Sequence, residues 1–265
     1  MSTKPTGVPS VDNLFRLDGQ VAVIAGGGNG IGRMTSHVLA QSGAQVVVID
    51  LEAGAADEVV QEIIGAGGRA VARHLDVTDE AAVVAAFGTV AAEQGRLDVL
   101  VNCAGGGKQV PAVEMGLDDW NEIVTRNLTS TFLCCREAGK QMLKQGSGSI
   151  INISSILGHS GGGIHPNPAY HAAKGAVISY TRALAAEWGP QGVRVNDIAP
   201  TYVNTRLAAD VLNDPRLRAT IESLTPLGRV AEVADLAGAM LYLASPASAM
   251  VTGHSLRVDG GYLAR

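Results

Sequence analysis

The chain contains 265 residues, of which 46% are hydrophobic, and its formal net charge at pH 7 is −5. This length and apolar content suffice for one large core, and the lack of a basic stripe argues against a nucleic-acid partner. Residues 1–13 are polar, and no apolar run approaches the roughly 18 residues that a membrane span needs. We therefore expect one cytoplasmic domain over 1–265, with 1–13 as a loose arm and no membrane partner.

Seven short apolar runs predict buried strands. Most are continuous rather than alternating, which is typical of strands covered on both faces. The runs are 21–25, 46–50, 70–75, 97–102, 149–154, 193–199 and 255–258, and helical patterns lie between them at 31–42, 55–66, 79–94, 117–145, 169–189 and 231–244. This alternation predicts an α/β fold, a single-domain doubly wound parallel sheet (Rossmann fold) of about seven strands with helices on both faces. Without a second domain, the loop regions 156–168 and 201–225 are expected to form the substrate site.

A glycine-rich turn joins the first strand to the first long helix. Such a turn lets backbone N–H groups and the helix N-terminus approach a pyrophosphate. The residues predicted to contact a dinucleotide here are Gly26, Asn29, Gly30, Ile31 and Gly32.

An acidic residue, Asp50, ends the second strand. In a dinucleotide site this position accepts hydrogen bonds from the adenosine ribose hydroxyls, and its charge repels a 2′-phosphate. Neither Leu51 nor Glu52 supplies a cation for such a phosphate, and Asn29 is uncharged. The sequence therefore favours NAD over NADP.

Polar residues or glycines also end the third and fourth strands. The carboxyl ends of parallel strands share one edge, where open α/β sheets bind ligands. We therefore expect a site at this edge that includes Asp76, Val77, Asn102, Ala104 and Gly105.

Tyr170 and Lys174 lie four residues apart at the start of the 169–189 helix. Residues i and i+4 share a helix face, so both side chains can enter one pocket. We expect the ammonium, helped by the positive charge of an oxidised nicotinamide, to lower the pKa of the phenol by roughly 2–3 units. The tyrosine would then exchange a proton with the substrate.

A pair of serines, Ser154 and Ser155, ends the fifth strand. A hydroxyl there can bind an alkoxide or a carbonyl oxygen and hold it against the tyrosine. Ser155 is the preferred candidate and Ser154 the alternative. The three cysteines and six histidines show no metal-ligand spacing, so no metal is expected.

These motifs, taken in order over 17–262, resemble those of the short-chain dehydrogenase/reductase family. The matching positions are Gly26, Gly30, Ile31, Gly32, Asn102, Ala104, Gly105, Asn127, Ser155, Tyr170, Lys174, Asn196 and Pro200. Three positions depart from the family pattern: Ala25 stands where threonine or serine is common, Cys103 where a second asparagine is usual, and Thr201 where glycine is usual. The 15-residue interval from Ser155 to Tyr170 is also longer than usual.

The resemblance implies a catalytic tetrad of Asn127, Ser155, Tyr170 and Lys174. It also implies that Tyr170 and Lys174 contact the cofactor and that Asp76 and Val77 flank the adenine. Pro200, Val203 and Thr205 would hold the nicotinamide side. A homotetramer is implied as well, with the long helices and the 252–263 segment at its interfaces, and the apolar 236–243 run lends weak sequence support.

The predicted function is NAD-dependent interconversion of a secondary alcohol and a ketone. Because the loop regions offer neutral polar groups and glycines, we expect a neutral, roomy substrate such as a cyclic or polyhydroxylated alcohol. Arg206, Arg216 and Arg218 are interpreted as a solvated helix face. One alternative is a 3-oxoacyl-[acyl-carrier-protein] reductase-like enzyme. From another class, the chain could be a non-catalytic NAD-binding sensor or scaffold.

Overall fold

A computed structural model describes residues 10–265, and its centre is one sheet of seven parallel strands in the order β3-β2-β1-β4-β5-β6-β7. The strands are β1 (Val21–Ala25), β2 (Gln45–Asp50), β3 (Arg69–His74), β4 (Val99–Asn102), β5 (Gly148–Ile153), β6 (Val193–Pro200) and β7 (Ser255–Val258). All seven predicted strands are present, each with bounds within two residues of those expected. The doubly wound parallel sheet is thus confirmed.

Ten α-helices accompany the strands in the described part of the chain. They are α1 (Val11–Leu14), α2 (Gly30–Gln41), α3 (Ala53–Gly65), α4 (Glu80–Gln94), α5 (Leu117–Val124), α6 (Ser130–Gln145), α7 (Pro168–Trp188), α8 (Ala209–Leu212), α9 (Pro215–Leu224) and α10 (Ala237–Ala244). Within the described range 10–265, no helix is long and apolar enough to cross a bilayer.

The strands are hydrophobic on both faces because helices cover both. Ile24 of β1 packs with residues of α2, α3 and α10 in one core, whereas Val23, its neighbour along the strand, packs with residues of α4, α6 and α7 in the other. Successive side chains of a strand point to opposite faces, so continuous apolar runs are what this sandwich requires.

The predicted 117–145 helix is interrupted by a π-helical turn at Thr125–Thr129. The Asn127 side chain supplies a physical reason, because its Nδ2 donates to the Ile123 carbonyl oxygen at 2.8 Å. This bond uses the oxygen that an α-helical backbone N–H would otherwise take. The single long helix was therefore a wrong prediction at this point, and π-turns of this kind are often found at functional sites.

Two other stretches differ from the expected loops. The 201–225 region is largely helical, since α8 and α9 lie in it. Asp214 begins α9 by accepting from the N–H groups of Arg216 and Leu217, and Pro215 occupies the first turn. Of the expected N-terminal arm, residues 1–9 lie outside the described residues, and α1 forms one helical turn where the arm was expected to be loose.

The order of the sheet reverses between β1 and β4, the arrangement that places ligands at the carboxyl ends of these strands. At this point the backbone after β1 and the backbone after β4 lie very close together. Gly26 has a φ of 77°, and a Cβ on it would lie 2.7 Å from the Ala104 nitrogen. Only glycine tolerates both conditions, so the turn after β1 can lie directly against the end of β4.

Candidate active site

A cavity of about 230 Å³ opens at the carboxyl edge of the sheet. Its wall is built by segments that follow β4, β5 and β6 and by the first turns of α7. The predicted site residues that line it are Ile31, Gly105, Ser154, Ser155, Tyr170, Lys174, Pro200, Val203 and Thr205. Residues far apart in the sequence are therefore brought together by the strand ends, as the motif order predicts.

Lys174 is only 4% exposed, although it carries an ammonium group. Its Nζ donates to the Ile153 carbonyl oxygen at the end of β5, at 2.7 Å. Burial lowers the pKa of Lys174 to about 8, while Cys103 and Asp197 act in the opposite direction. The lysine thus joins α7 to the end of the strand that carries the serines, and its charge is sensitive to pH near neutrality.

Tyr170 lies one turn before Lys174, and the Lys174 nitrogen is 5.6 Å from the centre of its ring. Burial raises the pKa of the phenol to about 12, and the neighbouring Ser155 hydroxyl offsets only part of this rise. This pKa is that of the protein without cofactor, so the lowering expected from the ammonium together with an oxidised nicotinamide stays a prediction. At 5.6 Å from the ring and held by Ile153, the ammonium does not overcome the desolvation of the phenolate.

The two serines at the end of β5 have different environments. Ser154 Oγ donates to the Asp197 carboxylate and lies 3.1 Å from the Ile198 carbonyl oxygen, so its hydroxyl is engaged with β6. Ser155 Oγ accepts from the Leu157 N–H at 3.1 Å and keeps its own proton available. This geometry favours Ser155 over Ser154 as the serine that meets a substrate.

Asn127 is completely buried behind the lysine. Its side-chain amide is bonded twice to Gly106, donating to the carbonyl oxygen at 2.7 Å and accepting from the N–H at 3.1 Å. A Cβ on Gly105 would lie 2.6 Å from Asn127 Oδ1 and 3.3 Å from Lys174 Nζ. Glycine at 105 is therefore what allows the loop after β4 to fit between the asparagine and the lysine.

The glycine turn is packed so closely that side chains in it would collide with neighbouring protein atoms. A Cβ on Gly28 would meet Asp50 Oδ2 at 2.8 Å, and one on Gly32 would overlap the Gly26 carbonyl oxygen. Gly30 has a φ of 50° and faces Thr205. The N–H groups of Gly26, Gly27 and Gly28 are bonded to Ile49 and Asp50, whereas Asn29 makes no side-chain bond to the first turn of α2. The N–H groups that remain for a ligand are therefore those at the N-terminus of α2.

Asp50 and the residues around it show a feature that the sequence did not reveal. The Asp50 carboxylate accepts from the Gly28 N–H at 2.8 Å and from the Glu52 N–H at 3.0 Å, which fixes it against the glycine turn. Arg206, from the segment after β6, is ion-paired with Glu52. The pKa of Arg206 is raised chiefly by its hydrogen bond to Glu52 and also by the charge of Asp50.

Arg206 was interpreted as part of a solvated face, and its side chain is 75% exposed, but it also lies beside Glu52 and Asp50. The sequence does not reveal the contact between Arg206 and Glu52, because 154 residues separate them in the chain. The pKa of Glu52 is lowered chiefly by its hydrogen bond to Arg206.

The remaining predicted residues fall into two groups. Asp76 is exposed and caps the turn after β3 by accepting from the Thr78 N–H and hydroxyl, with Val77 buried beside it at the same edge. Asn102 is different, because its amide donates to Asn152 Oδ1 at 2.9 Å and faces the Cys135 sulfur inside the sheet. Its side chain is thus used within the sheet rather than in the cavity.

Within residues 10–265, no group of three or more His, Cys, Asp and Glu side chains could hold a metal ion. The residues present fit a dinucleotide. The N–H groups at the start of α2 would bind its pyrophosphate, Asp50 would accept from its ribose hydroxyls, and its nicotinamide end would lie beside Tyr170 and Lys174.

Comparison with known proteins agrees with this geometry. The family model described as enoyl-(acyl carrier protein) reductase matches residues 25–263. D-threitol dehydrogenase of Mycolicibacterium smegmatis is 42% identical over 253 residues, covering 96% of each chain.

Solved structures resemble the chain equally well. An assigned NAD(P)-dependent gluconate 5-dehydrogenase of Beutenbergia cavernae, with NADP at low occupancy, is 41% identical with a TM-score of 0.91, covering 95% of this chain and 100% of that one. A 7α-hydroxysteroid dehydrogenase complexed with NADH and 7-oxo glycochenodeoxycholic acid is 35% identical with the same TM-score, 0.91, covering 96% and 98%.

Fold, site and relatives together define an oxidoreductase that uses a nicotinamide dinucleotide and interconverts alcohols and ketones. The chain belongs to the short-chain dehydrogenase/reductase family.

Proposed function

We propose that the chain is an NAD-dependent dehydrogenase of a neutral secondary alcohol, acting through Ser155, Tyr170, Lys174 and Asn127. The observation that carries this proposal is the shared cavity, in which Ser155, Tyr170 and Lys174 meet at one sheet edge with Asn127 packed behind. The threitol dehydrogenase relative, whose name denotes a neutral polyol substrate, supports the substrate class.

Each residue has a role that follows from its contacts. Ser155 would bind the substrate oxygen, and the Tyr170 phenolate would take the hydroxyl proton as the C–H bond breaks. NAD, when bound, supplies the hydride acceptor. Because burial raises the pKa of Tyr170 to about 12, forming the phenolate requires positive charge close to it. Lys174 supplies part of that charge, and Asn127 holds the Gly105–Gly106 loop against the lysine.

Replacing Tyr170 by phenylalanine should lower kcat for alcohol oxidation by at least about a hundredfold, the usual scale of general acid–base catalysis. NADH affinity, measured by cofactor fluorescence, should change little, since the phenol acts on the substrate. Lys174→Ala should weaken both turnover and NADH binding. Tyr180→Phe is the matched control on the same helix, where the ring packs on Phe132 instead of lining the cavity. Near-normal turnover of Tyr170→Phe would refute the assigned mechanism.

Preference for NAD over NADP is proposed from Asp50. Its carboxylate is held against the glycine turn by Gly28, so it cannot move away from a 2′-phosphate without losing that bond. Arg206, a cation whose pKa is raised chiefly by Glu52 and also by the charge of Asp50, is already paired with Glu52. Two like charges in contact near a protein surface repel each other by on the order of 1–4 kcal/mol. An exposed arginine that already has a carboxylate partner offsets less than this repulsion.

The protein should accordingly bind NADH more tightly than NADPH, and Asp50→Asn should reduce the ratio of the two affinities by about tenfold or more. Asparagine retains an acceptor oxygen for Gly28 but removes the charge. Fluorescence titration with both cofactors measures the ratio, and Asp18→Asn, at an exposed aspartate paired with Arg16, serves as control. Equal affinities in the unmodified protein would show that Asp50 does not set the preference.

Self-association into a homotetramer is proposed as well. The apolar 236–243 run was expected to support association. It does not, because Leu236, Met240 and Leu243 are buried in the chain's own core. A different surface supports association. Trp120 of α5 and Phe132 of α6 are 39% and 40% exposed, an unusual fraction for large rings.

Sedimentation velocity at micromolar concentration should therefore show a tetramer. Phe132→Asp should shift it to smaller species, because a charge would be buried at the interface. Ile64→Asp is a matched control, since Ile64 is 50% exposed on α3, which covers the opposite face of the sheet from α6. A monomer in the unmodified protein would contradict the proposal.

A further inference from the structure

A buried carboxylate, that of Asp197 on β6, lies next to the strand end that carries the serines. The residue is 1% exposed, and its Oδ1 accepts from two hydroxyl groups. One is Ser154 Oγ, and the other is Ser255 Oγ of β7, at 2.6 Å. Ser255 Oγ is in turn 2.8 Å from His159 Nε2. These four residues form a continuous hydrogen-bonded network that connects the segment after β5 with β6 and β7.

The network holds the chain on both sides of Ser155. Ser154 directly precedes this serine, and His159 follows it by four residues. The residues at 156–158 are isoleucine, leucine and glycine, none of which has a side chain that can form a hydrogen bond. His159 is therefore the first residue after Ser155 whose side chain can anchor the segment by a hydrogen bond, and it does so on β7.

Counting protons gives the network one direction. A serine hydroxyl has a single proton, and Ser255 donates it to Asp197, so Ser255 Oγ must accept from the histidine. Burial lowers the pKa of His159, and the charge of Arg257 acts in the same direction. The imidazole is therefore predominantly neutral at pH 7, with one proton. That proton must lie on Nε2, where it links the histidine to the buried carboxylate.

Packing on α7 constrains the same segment. A Cβ on Gly158 would lie 2.7 Å from the Lys174 carbonyl carbon, so the chain after Ser155 passes directly over the helix that carries the tyrosine and the lysine. Protein interiors are close-packed, and a segment held this tightly cannot shift without moving its neighbours. A displacement of the segment would thus change how Ser155 faces Tyr170.

We propose that Asp197, Ser255 and His159 are positioning residues that hold Ser155 in place to bind the substrate oxygen. None of the three lines the cavity, so they act through the serine by fixing the chain before and after it. This inference rests on the proposed function, because it takes Ser155 as the residue that meets the reacting oxygen.

Kinetics of single and double variants test whether the histidine acts through the serine. The assay uses NAD⁺ and the fastest substrate from a panel of neutral secondary alcohols and polyols that includes D-threitol. His159→Leu and Ser255→Ala should each lower kcat/KM by about threefold to tenfold, the scale of one hydrogen bond. NADH affinity, measured by fluorescence, should change little. In a Ser155→Ala background, His159→Leu should cause no further loss, because the two residues act as one unit.

A conservative variant and a control accompany these measurements. His159→Gln should recover most of the lost activity, because its amide nitrogen is as many bonds from Cα as Nε2 and can donate to Ser255. His37→Leu is the matched control, since His37 Nε2 also forms a 2.8 Å bond, to Glu62, but lies outside the cavity lining. It should leave kcat/KM unchanged.

Amide hydrogen exchange supplies a readout that needs no substrate. The N–H groups of Gly158 and His159 donate to the carbonyl oxygens of Ser155 and Ile156 at 2.9 Å and 3.0 Å. Relative to their intrinsic rates, both should exchange faster in His159→Leu and as in the unmodified protein in His159→Gln.

An unchanged kcat/KM or unchanged amide exchange in His159→Leu would overturn the positioning role. An equal loss in the Ser155→Ala background would overturn it as well, because the effect would then not pass through the serine. Near-normal turnover of Ser155→Ala alone, or no oxidation of any alcohol in the panel, would count instead against the proposed function.

Discussion

The hydrogen bond from the buried Lys174 ammonium to the Ile153 carbonyl oxygen is the interaction on which the site depends. A buried charge is tolerated only when its donors are satisfied, and this bond satisfies one by tying α7 to the end of β5. Ser155 follows that strand directly, and Tyr170 lies one helical turn before the lysine. The bond therefore sets how the serine and the tyrosine face each other.

Glycines make this arrangement sterically possible. Gly105 fits between Asn127 and the lysine, and Gly158 lets the segment after Ser155 pack on the backbone of α7, where a Cβ would lie 2.7 Å from the Lys174 carbonyl carbon. The same close packing has an electrostatic consequence. Burial lowers the pKa of Lys174 to about 8 and raises that of Tyr170 to about 12. The chain alone thus keeps its catalytic phenol protonated until further positive charge arrives.

Much of this could be predicted from the sequence, because parallel sheets leave strong local signals. The continuous apolar runs and the glycine turn predict the strands and the carboxyl edge, and the Tyr170–Lys174 spacing predicts their common helix face. What could not be predicted depends on contacts between distant segments. The π-turn at Asn127 arises from one side-chain bond to Ile123, and Arg206 meets Glu52 only in the folded chain. The rise of the Tyr170 pKa in the protein without cofactor could not be predicted, because desolvation depends on packing, which spacing does not reveal.

The proposed mechanism requires that the charge of the bound cofactor, together with Lys174, brings the pKa of the Tyr170 phenol into its working range. Titration of Tyr170 in the near ultraviolet, as the difference between the unmodified protein and Tyr170→Phe, tests it with and without NAD⁺. The account predicts a pKa of about 12 in the protein alone. It also predicts a pKa lower by roughly 2 units or more with NAD⁺ bound. A phenol that already titrates below its ordinary value near 10 without cofactor, or one that NAD⁺ does not shift, would contradict the account.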